Sequence, residues 1–62
     1  MLRVNGIAFQ DDGAGTVAML NGEPLSKGGI IAGVNVDEIY KNRVKFRYNG
    51  ETFEILLGQS NR

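Results

Sequence analysis

A chain of 62 residues, 42% of them hydrophobic and 23% charged, has room for one domain and lies outside the low-hydrophobicity, high-charge range of disordered chains. Seven basic and seven acidic side chains cancel, which removes any net-charge attraction to nucleic acid or to anionic lipid. Neither Cys nor His is present, so disulfides, thiolate or imidazole metal sites and the usual nucleophile–base pairs are excluded, and a thin core with strand pairing must supply stability.

Nine glycines punctuate the chain, and the runs between them are rich in Val, Ile, Phe and Tyr, the pattern of short strands and tight turns; no window has a helical period. A first strand is predicted over residues 2–9, ending in the polar loop Asp11-Asp12-Gly13-Ala14-Gly15. A second runs over 16–20 and turns at Asn21-Gly22 into a return strand over 23–25, where Pro24 lacks a ladder donor and predicts an edge position. Val34, Val36 and Ile39 break alternation by one place, so a β-bulge near Asp37-Glu38 is expected to bring all three to the core. After a turn at Lys41-Asn42 comes the best-determined piece, a hairpin around Asn49-Gly50, whose residues suit a two-residue type I′ turn. Counting back from that turn pairs Tyr48 with Glu51, Phe46 with Phe53 and Val44 with Ile55 on one face, and sets Lys45 opposite Glu54 on the other. Residues 58–62 are expected to be a flexible tail. The fold class that results is all-β, a small antiparallel β-sandwich or partly open barrel of five to six short strands, forming one domain over 1–62.

Catalysis finds little material. Ser26, Ser60, Thr16 and Thr52 have no base to activate them, and the acidic pairs Asp11-Asp12, Asp37-Glu38 and Glu51 with Glu54 read as turn or solvated strand residues. The spacing of a calcium loop is missing, and Gly13-Ala14-Gly15 and Gly28-Gly29 are followed by strands, whereas a phosphate loop needs a helix N-terminus. The chain is therefore read as a non-enzyme with no metal and no cofactor, whose work is to bind another protein. The competing reading is a small barrel that binds RNA or single-stranded DNA through the basic row Arg43, Lys45 and Arg47. Period-two parity sends Phe46, Tyr48 and Phe53 to the opposite face, so this row lacks a stacking platform and no nucleic-acid partner is expected. A self-assembling module is a third reading, and the sequence sets no oligomeric state.

Val4-Asn5-Gly6-Ile7 as an opening strand, Thr16-Val17-Ala18-Met19-Leu20-Asn21-Gly22 as a second strand and hairpin, and Leu25-Ser26-Lys27-Gly28-Gly29-Ile30-Ile31-Ala32-Gly33-Val34 as a glycine-rich crossover follow one another in a recognisable order. Val36, Ile39, Val44, Phe46, Asn49-Gly50, Phe53 and Leu57 complete it as closing strands. In these features, from about residue 4 to 57, the chain resembles the periplasmic homology domain of bacterial type II secretion, found in the inner-membrane C subunit and in the B-type assembly protein. One departure is Gly29, where the family commonly has an acid. The resemblance implies two packed antiparallel sheets, no catalysis, and an adaptor that joins the inner-membrane platform to the N-terminal periplasmic domain of the outer-membrane secretin. A pilus-assembly lipoprotein of similar architecture is a related branch. It further implies a periplasmic domain tethered to the inner membrane as part of a larger, membrane-anchored parent, and a partner contact at Arg3, Val4, Asn5 and Gly6.

Overall fold

A computed structural model of the chain describes residues 2–11 and 15–60. Asp12, Gly13 and Ala14 of the expected loop, and residues 61–62 of the expected tail, lie outside the described residues. The strands are β1 (Val4–Ala8), β2 (Val17–Leu20), β3 (Glu23–Leu25), β4 (Ile30–Ile31), β5 (Val34–Ile39), β6 (Arg43–Tyr48) and β7 (Glu51–Leu56). They form a three-stranded sheet of order β1-β2-β3 and a four-stranded sheet of order β4-β5-β6-β7, antiparallel throughout and not closed into a barrel. The fold is thus the all-β sandwich expected, with seven strands rather than five or six. The extra one is β4, a two-residue strand folded back on β5 through Ala32 (φ 52°) and Gly33 (φ 77°). Alanine seldom adopts a positive φ, which is why this turn carried no signal.

The β6–β7 hairpin has the register counted from its turn: Tyr48 opposite Glu51, Phe46 opposite Phe53 and Val44 opposite Ile55. Asn49 at φ 52° and Gly50 at φ 77° supply the two left-handed residues the turn requires. The expected bulge is present as a register shift between Val36 and Glu38, which leaves Asp37 unpaired and buries Val36 and Ile39 together. A second shift, between Val4 and Gly6, makes Asn5 the extra residue of β1.

Between the sheets lies one core. Leu2, Val4, Ala18 and Leu20 come from the three-stranded side, and Ile31, Val34, Val36, Ile39, Val44, Phe46 and Ile55 from the other. Phe46 and Phe53 stack with ring centroids 5.4 Å apart, and Ile7, Leu25 and Phe53 seal the margin. The crossover between the sheets is tied down by backbone: Gly28 N–H donates to the Val36 carbonyl at 2.9 Å, and Val36 N–H donates to the Gly29 carbonyl at 2.8 Å. Residues 58–60, in the segment read as a flexible tail, bond to β1. Gly58 N–H donates to the Val4 carbonyl at 2.8 Å, Val4 N–H donates to the Gln59 carbonyl at 3.1 Å, and Ser60 bridges to Arg3.

Gly29 is constrained by space. A Cβ there would stand 3.0 Å from Leu25 Cδ2 and 3.1 Å from the Ser26 carbonyl oxygen, and the latter is fixed because it accepts the Gly29 N–H. The acid common at this place in the resembling family does not fit this backbone without a shift. Gly29→Asp should therefore lower the urea midpoint by the equivalent of about 1–3 kcal/mol. Against a total of about 3–9 kcal/mol for a domain of this size, equilibrium unfolding followed by fluorescence or amide signals will register such a loss.

An apolar outer face on the three-stranded sheet

The four residues expected to meet a partner do not form one surface. Arg3 is exposed, with its N–H donating to Asn21 Oδ1 at 2.9 Å and its carbonyl accepting from Asn21 N–H at 3.0 Å. Val4 is fully buried, and both its outward backbone groups are taken by Gly58 and Gln59. It is a core residue whose side chain is not exposed to a partner in this fold, and an acid placed there would destroy the core instead of probing a contact. Asn5, extruded by the bulge, is exposed and uses its Oδ1 to accept the Gly22 N–H at 2.7 Å, which locks the β2–β3 turn. Gly6 points the other way from Val4 and lies opposite Met19.

Around Gly6 the register assembles a surface that reading one strand at a time missed. Gly6, Met19 and Pro24 form one row across the three strands, and Ala8 with Val17 forms the next. No charged side chain stands in these rows. The inner face of the same strands carries Val4, Ile7, Ala18, Leu20 and Leu25, so this sheet is apolar on both sides. A signal for it existed: Val17-Ala18-Met19-Leu20 is a run without polar alternation, the pattern of a strand covered on both faces.

The outer face of the four-stranded sheet is the reverse. Arg43 Nε bonds Glu54 Oε1 at 2.9 Å, Arg47 Nε bonds Asp37 Oδ1 at 3.3 Å, and Lys45 Nζ lies 3.9 Å from Asp37 Oδ2. Lys45 does sit opposite Glu54 as expected, yet Glu54 pairs diagonally with Arg43 while the bulged Asp37 serves Lys45 and Arg47. Lys27 Nζ contacts Glu38 Oε1 at 3.0 Å, and the hydrogen bond and charge of that carboxylate raise the pKa of the exposed ammonium. One aromatic ring does reach this face, that of Tyr40, but the Arg43 guanidinium lies 4.0 Å over it. Two carboxylates, Glu54 and Asp37, thus contact all three cations of the basic row, which lowers the charge it offers to phosphates.

A cleft of about 430 Å³ opens where the two sheets meet, lined in part by Phe9, Gln10, Thr16, Lys27, Glu38 and Tyr40. Part of its polar lining serves the fold: Thr16 Oγ1 accepts the Gln10 N–H at 2.9 Å and donates to the Gln10 carbonyl at 3.3 Å, and Lys27 holds Glu38. Among the described residues there is no group of three or more acidic side chains placed to hold a metal ion.

No known family profile matches the chain, and no curated protein matches it. A solved structure does: Dickeya dadantii GspB from the type 2 secretion system superposes with a TM-score of 0.82 at 24% identity, over 94% of this chain and 70% of that one. The chain has the GspB fold. That match spans both sheets, and it agrees with the packed antiparallel architecture that the resemblance to secretion homology domains implied.

Pairing of the basic row generates a direct expectation. Titration with mixed-sequence RNA and single-stranded DNA at about 50 mM salt should show no micromolar binding. Arg47→Glu, at an exposed position, should change stability by no more than about 0.5–1 kcal/mol. Binding that steepens as salt falls, and is lost in that variant, would instead identify a nucleic-acid site.

Proposed function

We propose that the chain is a non-catalytic protein-binding domain of a type II secretion system, located in the periplasm and tethered to the inner membrane through its parent protein. In that setting it links the inner-membrane platform to the outer-membrane secretin by contacting the secretin's N-terminal periplasmic domain. The observation that carries the reading is the fold shared with GspB of the type 2 secretion system over 94% of this chain. The physical character of the surface supports it, because an uncovered apolar sheet face beside a salt-bridged one is what a protein partner can desolvate cheaply.

The contact is assigned to the outer face of the three-stranded sheet, with Gly6, Ala8, Val17 and Met19 at its centre and the exposed Arg3 and Asn5 beside it on the chain. Gly6 has a function there that its conformation does not require. Its φ is not positive, and a Cβ would meet Met19 Cγ only at 3.9 Å, so the residue keeps the face flat instead of relieving strain. Micromolar affinity is enough, since a tethered domain facing a ring of secretin subunits gains from effective concentration.

The test is an amide-shift titration with the N-terminal domain of the secretin from the same genome. Perturbations should cluster on Gly6, Ala8, Val17 and Met19. Met19→Glu, at a side chain already partly exposed, should weaken binding by about tenfold or more while leaving the unfolding midpoint within about 1 kcal/mol of the parent. Shifts confined to Arg43, Lys45 and Arg47 would keep an adaptor but move its site to the basic face. No binding at about 1 mM would remove the secretin as the partner.

A further inference from the structure

The sequence holds three Asn-Gly dipeptides, at Asn5-Gly6, Asn21-Gly22 and Asn49-Gly50. Asparagine is among the thermolabile residues, and a following glycine leaves it most open to reaction, because no Cβ shields the next backbone nitrogen from the side-chain amide. That nitrogen can lose its proton to solvent base and attack the asparagine Cγ. The N–Cγ bond forms, the Cγ–Nδ2 bond breaks, and ammonia leaves with the proton. Water then opens the cyclic imide at either carbonyl, giving aspartate or isoaspartate, so the step needs neither oxidant nor enzyme.

Two of the three sites share one backbone conformation. Asn21 and Asn49 both have φ 52°, and their glycines have φ 82° and 77°. Both pairs form two-residue hairpin turns, and all four residues are exposed. In either turn the left-handed asparagine must rotate before the glycine nitrogen can reach Cγ, so backbone geometry does not separate the two sites. The hydrogen bonds around them do.

Asn21 Oδ1 accepts the Arg3 N–H at 2.9 Å, and Asn21 N–H donates to the Arg3 carbonyl at 3.0 Å. The Gly22 N–H, whose proton the reaction must remove, donates to Asn5 Oδ1 at 2.7 Å. Electrophile and nucleophile are thus held by different partners, and both must be released before they can meet. The same Gly22 bond occupies the side chain of the third site, where Gly6 is also fixed in the β1–β2 ladder opposite Met19. At the other end of the chain nothing comparable exists: among the described residues the Asn49 side chain and the Gly50 N–H have no hydrogen-bond partner. Space is open too, since a Cβ on Gly50 would meet nothing within 4 Å.

We propose that Asn49 is a site of spontaneous modification, converting with age to aspartate and isoaspartate through the Gly50 nitrogen, and that the isoaspartate form unties the β6–β7 hairpin. The hydrogen bonds centred on Asn5 protect Asn5 and Asn21 from the same reaction. The two products differ in consequence. Aspartate keeps the turn, because Asp-Gly suits a type I′ loop as Asn-Gly does. Isoaspartate routes the main chain through the side-chain methylene, which adds a carbon to a loop whose length sets the pairing of Tyr48 with Glu51. The lengthened loop no longer matches the register that stacks Phe46 on Phe53.

The experiment ages the folded protein at mildly alkaline pH beside a sample in denaturing urea. Peptide mapping by mass spectrometry and isoaspartate-specific methylation then read each Asn-Gly separately. In urea the three sites should react at similar rates. In the folded protein Asn49 should convert at least about tenfold faster than Asn5 or Asn21, the factor expected where two hydrogen bonds must break first. Asn5→Ala frees the Gly22 N–H and should raise the Asn21 rate by about fivefold. Asn49→Gly removes the reactive amide but keeps a type I′ turn as Gly-Gly, so its unfolding midpoint should survive ageing while that of the aged parent falls with its isoaspartate content. Three results would each overturn the proposal: conversion of folded Asn49 no faster than that of Asn21, an Asn21 rate unchanged in folded Asn5→Ala, or an aged parent that carries isoaspartate at position 49 and keeps its midpoint. Should Asn5→Ala fail to fold, the comparison of the three sites in the parent chain decides the matter.

Discussion

The left-handed pair Asn49-Gly50 sets a register on which both faces and one edge of the four-stranded sheet depend. Because side chains alternate with period two, the turn that places Tyr48 opposite Glu51 also places Phe46 and Phe53 on the same side, where they stack at 5.4 Å and close the core. The same count sends Arg43, Lys45 and Arg47 to solvent and turns the backbone groups of Thr52 and Glu54 away from the sheet. A one-residue slip of β6 against β7 would turn one of the two strands over. Turning β6 would carry Arg43, Lys45 and Arg47 toward the core and Phe46 out of it, at a cost larger than the stability of a domain this small.

Two bulges correct what strict alternation would spoil, and each puts its extruded side chain to use. In β5 the extra residue Asp37 allows Val36 and Ile39 both to face inward, and its carboxylate then reaches Arg47 and Lys45. In β1 the extra residue Asn5 lets Val4 and Ile7 both serve the core while its side chain accepts the Gly22 N–H. The second bond couples the entry of the chain to the β2–β3 turn. Asn21 reinforces it by receiving the Arg3 N–H on its side chain. The polar residues of this corner therefore hold in place the sheet whose outer side is apolar.

How much of this was legible depends on how local each feature is. The β6–β7 hairpin and the β5 bulge were readable because a turn dipeptide and an apolar pattern stand within a few residues of each other. The β4–β5 turn was not, since Ala32 gives no hint of a positive φ. The docking of residues 58–60 on β1 was equally hidden, because it joins the two ends of the chain through backbone groups that every residue possesses. At the candidate site the sequence placed interest on the opening strand but treated Arg3, Val4, Asn5 and Gly6 as a unit. Alternation and the bulge split them into exposed, buried, extruded and outward-facing residues. Only the neighbouring strand, through Val17 and Met19, shows which side of Gly6 a partner could use.

The two outer faces differ in a way that favours the proposed contact on the smaller sheet. A domain of 62 residues cannot hide all its apolar surface, so where the remainder is left matters. On the larger sheet the outer cations are held by Glu54 and Asp37, so a partner settling over them must strip water from ion pairs, although Leu56 stands exposed beside them. The smaller sheet has no such charges in the rows through Gly6 and Ala8, so desolvating it is favourable from the first contact.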